Sequence, residues 1–377
     1  HWAASAIAEA VQAGYVSGYP DGTFRPSGTI TRAEVAGMLS RVTKLVPEKG
    51  SDAFADLEGH WSREEVRQLV ALGFIDPADY KNGFEPNKPA TRYEVMKWIA
   101  SGLAKSHPDF AQALEDTKDT LLPTPESFKG GISPEQVPYI AVVRGTGIIQ
   151  GFEDGTMRPA STITRAEVVA IMLRYAEVEG TDPKKYRDLN ELREVGLTGT
   201  NLTTITNYRY WPVDTQGTIN DYNAVRDKPI SMIKDRGIIK VHRMIVVDTT
   251  KDTGDGVYAG LFVDPAKPER IRNGLLKDYY LIYVEQTVIP NKDMDKLEFS
   301  NSIGNHLLPT SGFMNDFLEQ KGFQSYPIMN PPKDFFAKGK EQRIWLQGTI
   351  RKNEPVGYAL RTDDGSYVDI RVGAKEG

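Results

Sequence analysis

The 377-residue chain has no cysteine, which excludes disulfide cross-links, thiol nucleophiles and thiolate metal ligands together. Histidine is scarce at five residues, and the pair in the second half, His242 and His306, lacks HExxH or any other paired-ligand spacing. Both read as satisfied or exposed side chains. No apolar run approaches the roughly 20 residues of a membrane helix, and no signal-peptide pattern opens the chain. Neither sign of charge dominates: 46 Lys and Arg face 51 Asp and Glu, a formal charge of −5. Without a global basic field nothing points to nucleic acid, and an anionic partner has to be met locally. No GxSxG elbow, P-loop or Rossmann fingerprint is present, so no catalytic residue, cofactor or metal is assigned and the chain reads as non-enzymatic. The acidic run at 248–256 lacks EF-hand spacing and a closing glutamate, and reads as a solvated hairpin loop.

Hydrophobic residues at 40% and charged residues at 26% are ordinary for folded protein, and the length calls for more than one core. The first half is built from a repeat. ITRAEV occurs at 30–35 and 163–168, with ATRYEV between them at 90–95. Ahead of each hexamer runs a stripe at offsets 0, 3, 4 and 7: Ile7, Ala10, Val11, Gly14; Val66, Leu69, Val70, Gly73; Ile140, Val143, Arg144, Gly147. This spacing predicts a helix capped by a left-handed glycine. Glycine and hexamer threonine are separated by 17, 18 and 17 residues, with turn chemistry at Asp21-Gly22, Asn82-Gly83 and Asp154-Gly155 between them. Behind each hexamer the same offsets recur at Val35, Met38, Leu39, Val42; Val95, Trp98, Ile99, Gly102; and Val168, Ile171, Met172, Tyr175. One such helix pair cannot bury its own stripe, so three should pack about a shared axis. An insertion at 105–136 carries PDFAQALEDT, a candidate short helix.

The hexamer is a capping box, threonine to glutamate, at Thr31/Glu34, Thr91/Glu94 and Thr164/Glu167. Capping does not account for Arg32, Arg92 and Arg165, each a cation in a first turn where it opposes the helix dipole at a cost of about 0.3 to 1 kcal/mol. Two explanations stand side by side. The guanidinium and the helix-start amides could together receive a ligand carboxylate, or the arginine could bridge to a carboxylate of another repeat. Trp2 and Trp61 each follow a histidine at the start of a first helix, either as core or as faces for a sugar ring.

These copies resemble S-layer homology modules in their HWA-type opening, their G-[FY]-x-DGTF-x-P loop and their ITRAE box, repeated three times in order. The resemblance implies a three-pronged spindle on a central three-helix bundle, secreted to a bacterial cell wall or S-layer. It also implies non-covalent binding of secondary cell wall polysaccharide, with pyruvylated N-acetylmannosamine in grooves between modules. Carried across, Arg32, Arg92 and Arg165 would meet the pyruvyl group, Trp2 and Trp61 would line sugar surfaces, and Asp21 and Asp154 would shape groove loops. Departures make the grooves unequal. His1 has no Phe-x-Asp lead-in of the kind kept at Phe54-Ala55-Asp56, Tyr93 replaces alanine, copy two lacks the DGTF loop, and copy three has no tryptophan near its start.

The expected organisation is three modules at about 1–46, 54–105 and 132–179 within 1–180, a linker at 181–186 and a β-rich domain at 187–377. The class is multidomain α+β, with a pseudo-threefold helical trimer ahead of a mostly β, sandwich-like domain. Strands are expected in LTTITNYRY from 202, IIKVHRMIVVDTT from 238, VYAGLFV from 257, YYLIYVEQTVI from 279, RIWLQGTI from 343, YALRT from 358 and YVDIRV from 367, with a helix only in GFMNDFLEQKGF near 312. The leading function is wall anchoring with an outward domain for surface structure or self-association in a lattice. The alternative is an anchored carbohydrate-active enzyme, or a glycan-binding domain presenting Tyr208, Tyr210 and Trp211.

Overall fold

The computed structural model describes residues 1–47, 50, 52–251, 254–264, 276–313, 317–327, 332 and 334–373. It divides into two units: His1–Leu122 with Gly131–Leu189, and Pro123–Gly130 with Asn190–Gly377.

The first unit is helical. The repeat supplies α1 (Ala4–Gln12) with α2 (Arg32–Val42), α3 (Arg63–Ala71) with α4 (Arg92–Ser106), and, after α5 (Pro108–Asp116) and the second unit's α6 (Glu126–Lys129), α7 (Val137–Gly145) with α8 (Arg165–Val178). The glycine caps are as expected: Gly14, Gly73 and Gly147 have φ of 75°, 75° and 76°, left-handed values that an L side chain resists. The stripes of α2, α4 and α8 are buried along their length. In α1 the stripe is narrower than its spacing suggests, since Ala10 is buried but Val11 is 47% exposed.

Packing is cyclic. The first helix of each copy lies on the second helix of the copy before it: α3 on α2, α7 on α4, and α1 on α8. At the centre the residues preceding each hexamer threonine close a ring of backbone hydrogen bonds. Ile30 N–H donates to Ile163 O (3.2 Å), Ile163 N–H to Ala90 O (3.2 Å), and Ala90 N–H to Ile30 O (2.9 Å). All three side chains are fully buried. The insertion forms α5 with Phe110 and Ala113 inside, and the 181–186 stretch contains a 3₁₀ turn, Pro183–Lys185, capped by Asp182.

The second unit opens with the end of α9 (Arg187–Thr198), followed by α10 (Leu202–Ile205) and β1 (Tyr208–Tyr210). Then come β2 (Pro229–Ser231), β3 (Gly237–Asp248), α11 (Ala259–Phe262), β4 (Tyr279–Pro290), α12 (Lys296–Asn301), α13 (Phe317–Gln320), β5 (Gln342–Arg351), β6 (Tyr358–Arg361) and β7 (Tyr367–Val372). Two antiparallel sheets result, β2-β3-β4-β5 and β1-β7-β6. Strand β4 is central and buried at nearly every position, so both its faces are covered. One core joins Ile282, Val284 and Leu346 of the larger sheet to Tyr208, Leu360, Val368 and Ile370 of the smaller.

Several expectations here need correction. Residues 202–205 and 259–262 are helical turns rather than strand, and α9 was not anticipated although Leu189, Leu192 and Val195 are fully buried. Of the expected helix near 312, α13 is present, and 314–316 lie outside the described residues. Tyr208 is core; Trp211, at 42% exposure, faces solvent.

Candidate functional site

Each hexamer forms the capping box that its spacing predicts. Glu34, Glu94 and Glu167 N–H donate to the threonine hydroxyls at 3.2, 3.2 and 3.3 Å, and the glutamates accept the Thr31, Thr91 and Thr164 amides at 2.9, 2.8 and 2.9 Å. The next amides are also taken. Arg32 and Ala33 N–H donate to Lys88 and Pro86 carbonyls, Arg92 and Tyr93 to Ser161 and Pro159, and Arg165 and Ala166 to Gly28 and Pro26, all at 2.9 to 3.0 Å. The helix starts therefore offer no spare donors to a ligand carboxylate. This corrects one half of the sequence-based receptor: the loop of the neighbouring copy caps each helix.

The arginines follow the same rotation. Arg32 donates to Glu94 (Nε to Oε1, 2.7 Å) and to Phe84 O (2.8 Å); Arg92 donates to Glu167 (2.7 Å) and to Met157 O (3.0 Å). Arg165 closes the cycle on Glu34 (3.2 Å) and Ser17 O (2.7 Å). Their exposures are only 7%, 5% and 6%. The capping glutamate of one copy thus neutralises the arginine of another, and this answers why an unfavourable first-turn cation recurs. Aromatic rings enclose the guanidiniums as well: Tyr80 for Arg32, Phe152 for Arg92, and Tyr19 with Phe24 for Arg165, at 4.5 to 4.9 Å. Burial lowers the Arg92 pKa, and the Glu167 charge opposes that shift.

Asp21 and Asp154 build the loops beside these arginines. Asp154 accepts from the Thr156 amide (2.9 Å) and hydroxyl (2.5 Å) and from Arg158 Nη2 (2.8 Å). Asp21 repeats the pattern with Thr23 at 2.9 and 2.6 Å and Arg25 at 2.5 Å. Hydrogen bonds from Thr156 and Arg158, and from Thr23 and Arg25, hold both carboxyls at about 2.

Trp2 and Trp61 are 68% and 58% exposed, the opposite of a core fate. Trp2 edges a groove of ≈ 870 Å³ whose walls include Arg92, Phe152, Glu167, Ala170 and Arg174. Trp61 stands at the equivalent place on α2. A Cβ at Gly37 would lie 3.3 Å from its ring and 3.8 Å from Arg41 Nη2, so a small residue there lets the tryptophan lie close. Gly37 corresponds to Ala170, and Arg41 to Arg174. The third groove is different. On α4 these positions are Lys97 and Ser101; Lys97 pairs with Asp79 (2.6 Å) and lies over Tyr139, whose ring meets Tyr93 edge-on at 6.4 Å. Side chains of the protein itself occupy that space. Sequence reasoning missed Arg41, Arg174, Arg25 and Arg158, though all recur at matching offsets from the hexamers.

In the second unit Asp227, His242 and Thr287 form a hydrogen-bonded series: Asp227 Oδ1 meets His242 Nδ1, and His242 Nε2 lies 2.7 Å from Thr287 Oγ1. Thr287 sits inside β4 at 4% exposure, closed to a substrate.

The S-layer homology domain profile matches residues 1–36, 53–96 and 130–169. The chain is 43% identical to a cellulosome-anchoring protein of Acetivibrio thermocellus over 28% of its own length and 24% of that protein. It is 27% identical to an S-layer protein of Bacillus licheniformis over 55% of its length and 23% of that protein. It is also 33% identical to an uncharacterized cell wall amidase of Bacillus anthracis, over 38% of its length and 27% of that protein. It spans less than a third of each of these relatives. With the cyclic helix pairs and repeated capping boxes described above, these matches show three S-layer homology domains in the helical unit, ahead of an antiparallel β unit.

Proposed function

We propose that the helical unit anchors a surface protein to the bacterial cell wall by holding pyruvylated secondary wall polysaccharide in the grooves edged by Trp2 and Trp61. The observation that carries this is the pair of exposed tryptophans at equivalent positions, each set against a small residue and an arginine. An indole face suits the apolar face of a sugar ring, and the arginines suit an anionic substituent. The Lys97–Asp79 pair and the Tyr93–Tyr139 contact fill the third groove, leaving two working sites on one body. Two sites on one polymer bind through effective concentration, so each can be weak.

The second unit faces outward as a surface or lattice module in this reading, with no catalysis of its own. The similarity to an anchoring protein and an S-layer protein favours that role over the anchored enzyme that the amidase similarity suggests. Equilibrium binding of the chain to purified wall polysaccharide, with Trp2→Ala and Trp61→Ala variants in parallel, tests the anchoring. Each single variant should weaken binding by about tenfold or more and the pair should abolish it, as expected for lost aromatic anchors. Undiminished binding by the double variant overturns the proposal.

A further inference from the structure

Arg41 and Arg174 stand apart from the other solvent-exposed arginines of the helical unit. Arg25, Arg63, Arg158 and Arg187 each have a carboxylate within ion-pair distance, namely Asp21, Asp52, Asp154 and Asp188. Among the described residues neither Arg41 nor Arg174 has one. Both occupy the same place in their copies, nine residues after the hexamer arginine. Each is held by a single bond to the carbonyl after a glycine cap: Arg41 Nε to Tyr15 O and Arg174 Nη1 to Ile148 O, both 3.1 Å. That bond fixes the direction of the guanidinium and, among the described residues, leaves its other N–H groups unclaimed. Arg174 lines the Trp2 groove, and Arg41 lies beside Trp61. The filled groove carries Ser101 at this position, so cation and tryptophan are present together or absent together.

We infer that Arg41 and Arg174, rather than the buried Arg32, Arg92 and Arg165, receive the anionic group of the polymer. This rests on the anchoring proposal above and names its charge-recognising residues. The hexamer arginines are already paired with Glu94, Glu167 and Glu34 and bonded to loop carbonyls, and a ligand anion taking over those pairs would have to displace a buried ion pair. A guanidinium that is oriented but uncompensated needs no such displacement and can bind a carboxylate bidentately.

The test measures affinity of the full chain for purified wall polysaccharide and for the same polymer after removal of its pyruvyl ketals. The chains compared are the unchanged protein, Arg41→Gln, Arg174→Gln, the double variant, the double Arg→Lys variant, and Arg187→Gln as an exposed control. Thermal melts confirm that each folds. Each single Gln variant should lose about tenfold, the size of one charge-assisted contact. The double Gln variant should bind both polymers equally weakly, Lys should restore part of the preference, and Arg187→Gln should match the unchanged protein. If the unchanged protein prefers the ketal-bearing polymer and the double Gln variant keeps that preference, this inference is overturned and the anchoring proposal stands. If the unchanged protein shows no preference, the pyruvyl reading itself fails and takes this inference with it.

Discussion

Arg92 illustrates how a residue unfavourable in its own helix becomes necessary in its neighbour's. Its charge is compensated by Glu167, which also caps α8, so one carboxylate serves two copies at once. Glu167→Ala should therefore cost about 3 to 5 kcal/mol in denaturant unfolding followed by helical signal, because it strands a guanidinium that is 5% exposed. A loss no greater than that of an ordinary cap, about 1 kcal/mol, would show that the pair carries little. The capping roles of Thr31, Thr91 and Thr164 were readable from four letters because a capping box is local. The arginine's partner was not, since Arg92 and Glu167 are 75 residues apart. Asp154 gives a pH prediction. Its folded value of about 2 lies below its ordinary 3.8, so its stabilisation of the loop is complete above roughly pH 4 and lost as pH falls through 2. The Thr156 amide resonance should hold its folded position at pH 4 and move near pH 2.

At the scale of elements, the helix pairs were legible because each is long enough for a 3.6-residue period to declare itself. The turns α10 and α11 were not, and their cause is again non-local. Glu194 of α9 accepts the Thr203 and Thr204 amides at 2.9 and 2.8 Å and the Thr203 hydroxyl at 2.9 Å, capping α10 from outside it. Glu191, also on α9, accepts the Val257 amide (3.3 Å) just ahead of α11. Short apolar runs such as LTTI and AGLF take their conformation from whatever satisfies their first amides, and no pattern within four residues states that. Glu194→Ala should leave the α10 amides uncapped, at a cost of about 1 to 3 kcal/mol, with hydrogen exchange quickening at Thr203 and Thr204 before the sheets respond. Exchange unchanged at those amides would remove Glu194 as the cap.

At the scale of the molecule, the chain divides between Leu189 and Asn190, and Pro123–Gly130 belongs with the second unit, an assignment that no pattern within those eight residues announces. Phe128 from that segment stacks on Phe323 with centroids 3.8 Å apart and meets Trp345 edge-on at 6.1 Å. A fragment beginning at residue 190 lacks this side chain and should melt below the same unit in the intact chain. Phe128→Ala within the intact chain should reproduce part of the loss, about 1 to 3 kcal/mol for a half-buried aromatic. Equal melting of fragment and intact unit would show the segment to be dispensable. The ring of backbone bonds through Ile30, Ala90 and Ile163 also sets an arithmetic. Each copy gives one bond and takes one, and the cycle closes after three, with no site at which a fourth could enter. A gene that gained or lost one copy would encode a chain with an open valence, satisfied only by borrowing a copy from another molecule. The count of three is thereby heritable as a unit, and duplication of the helical unit should proceed in whole sets.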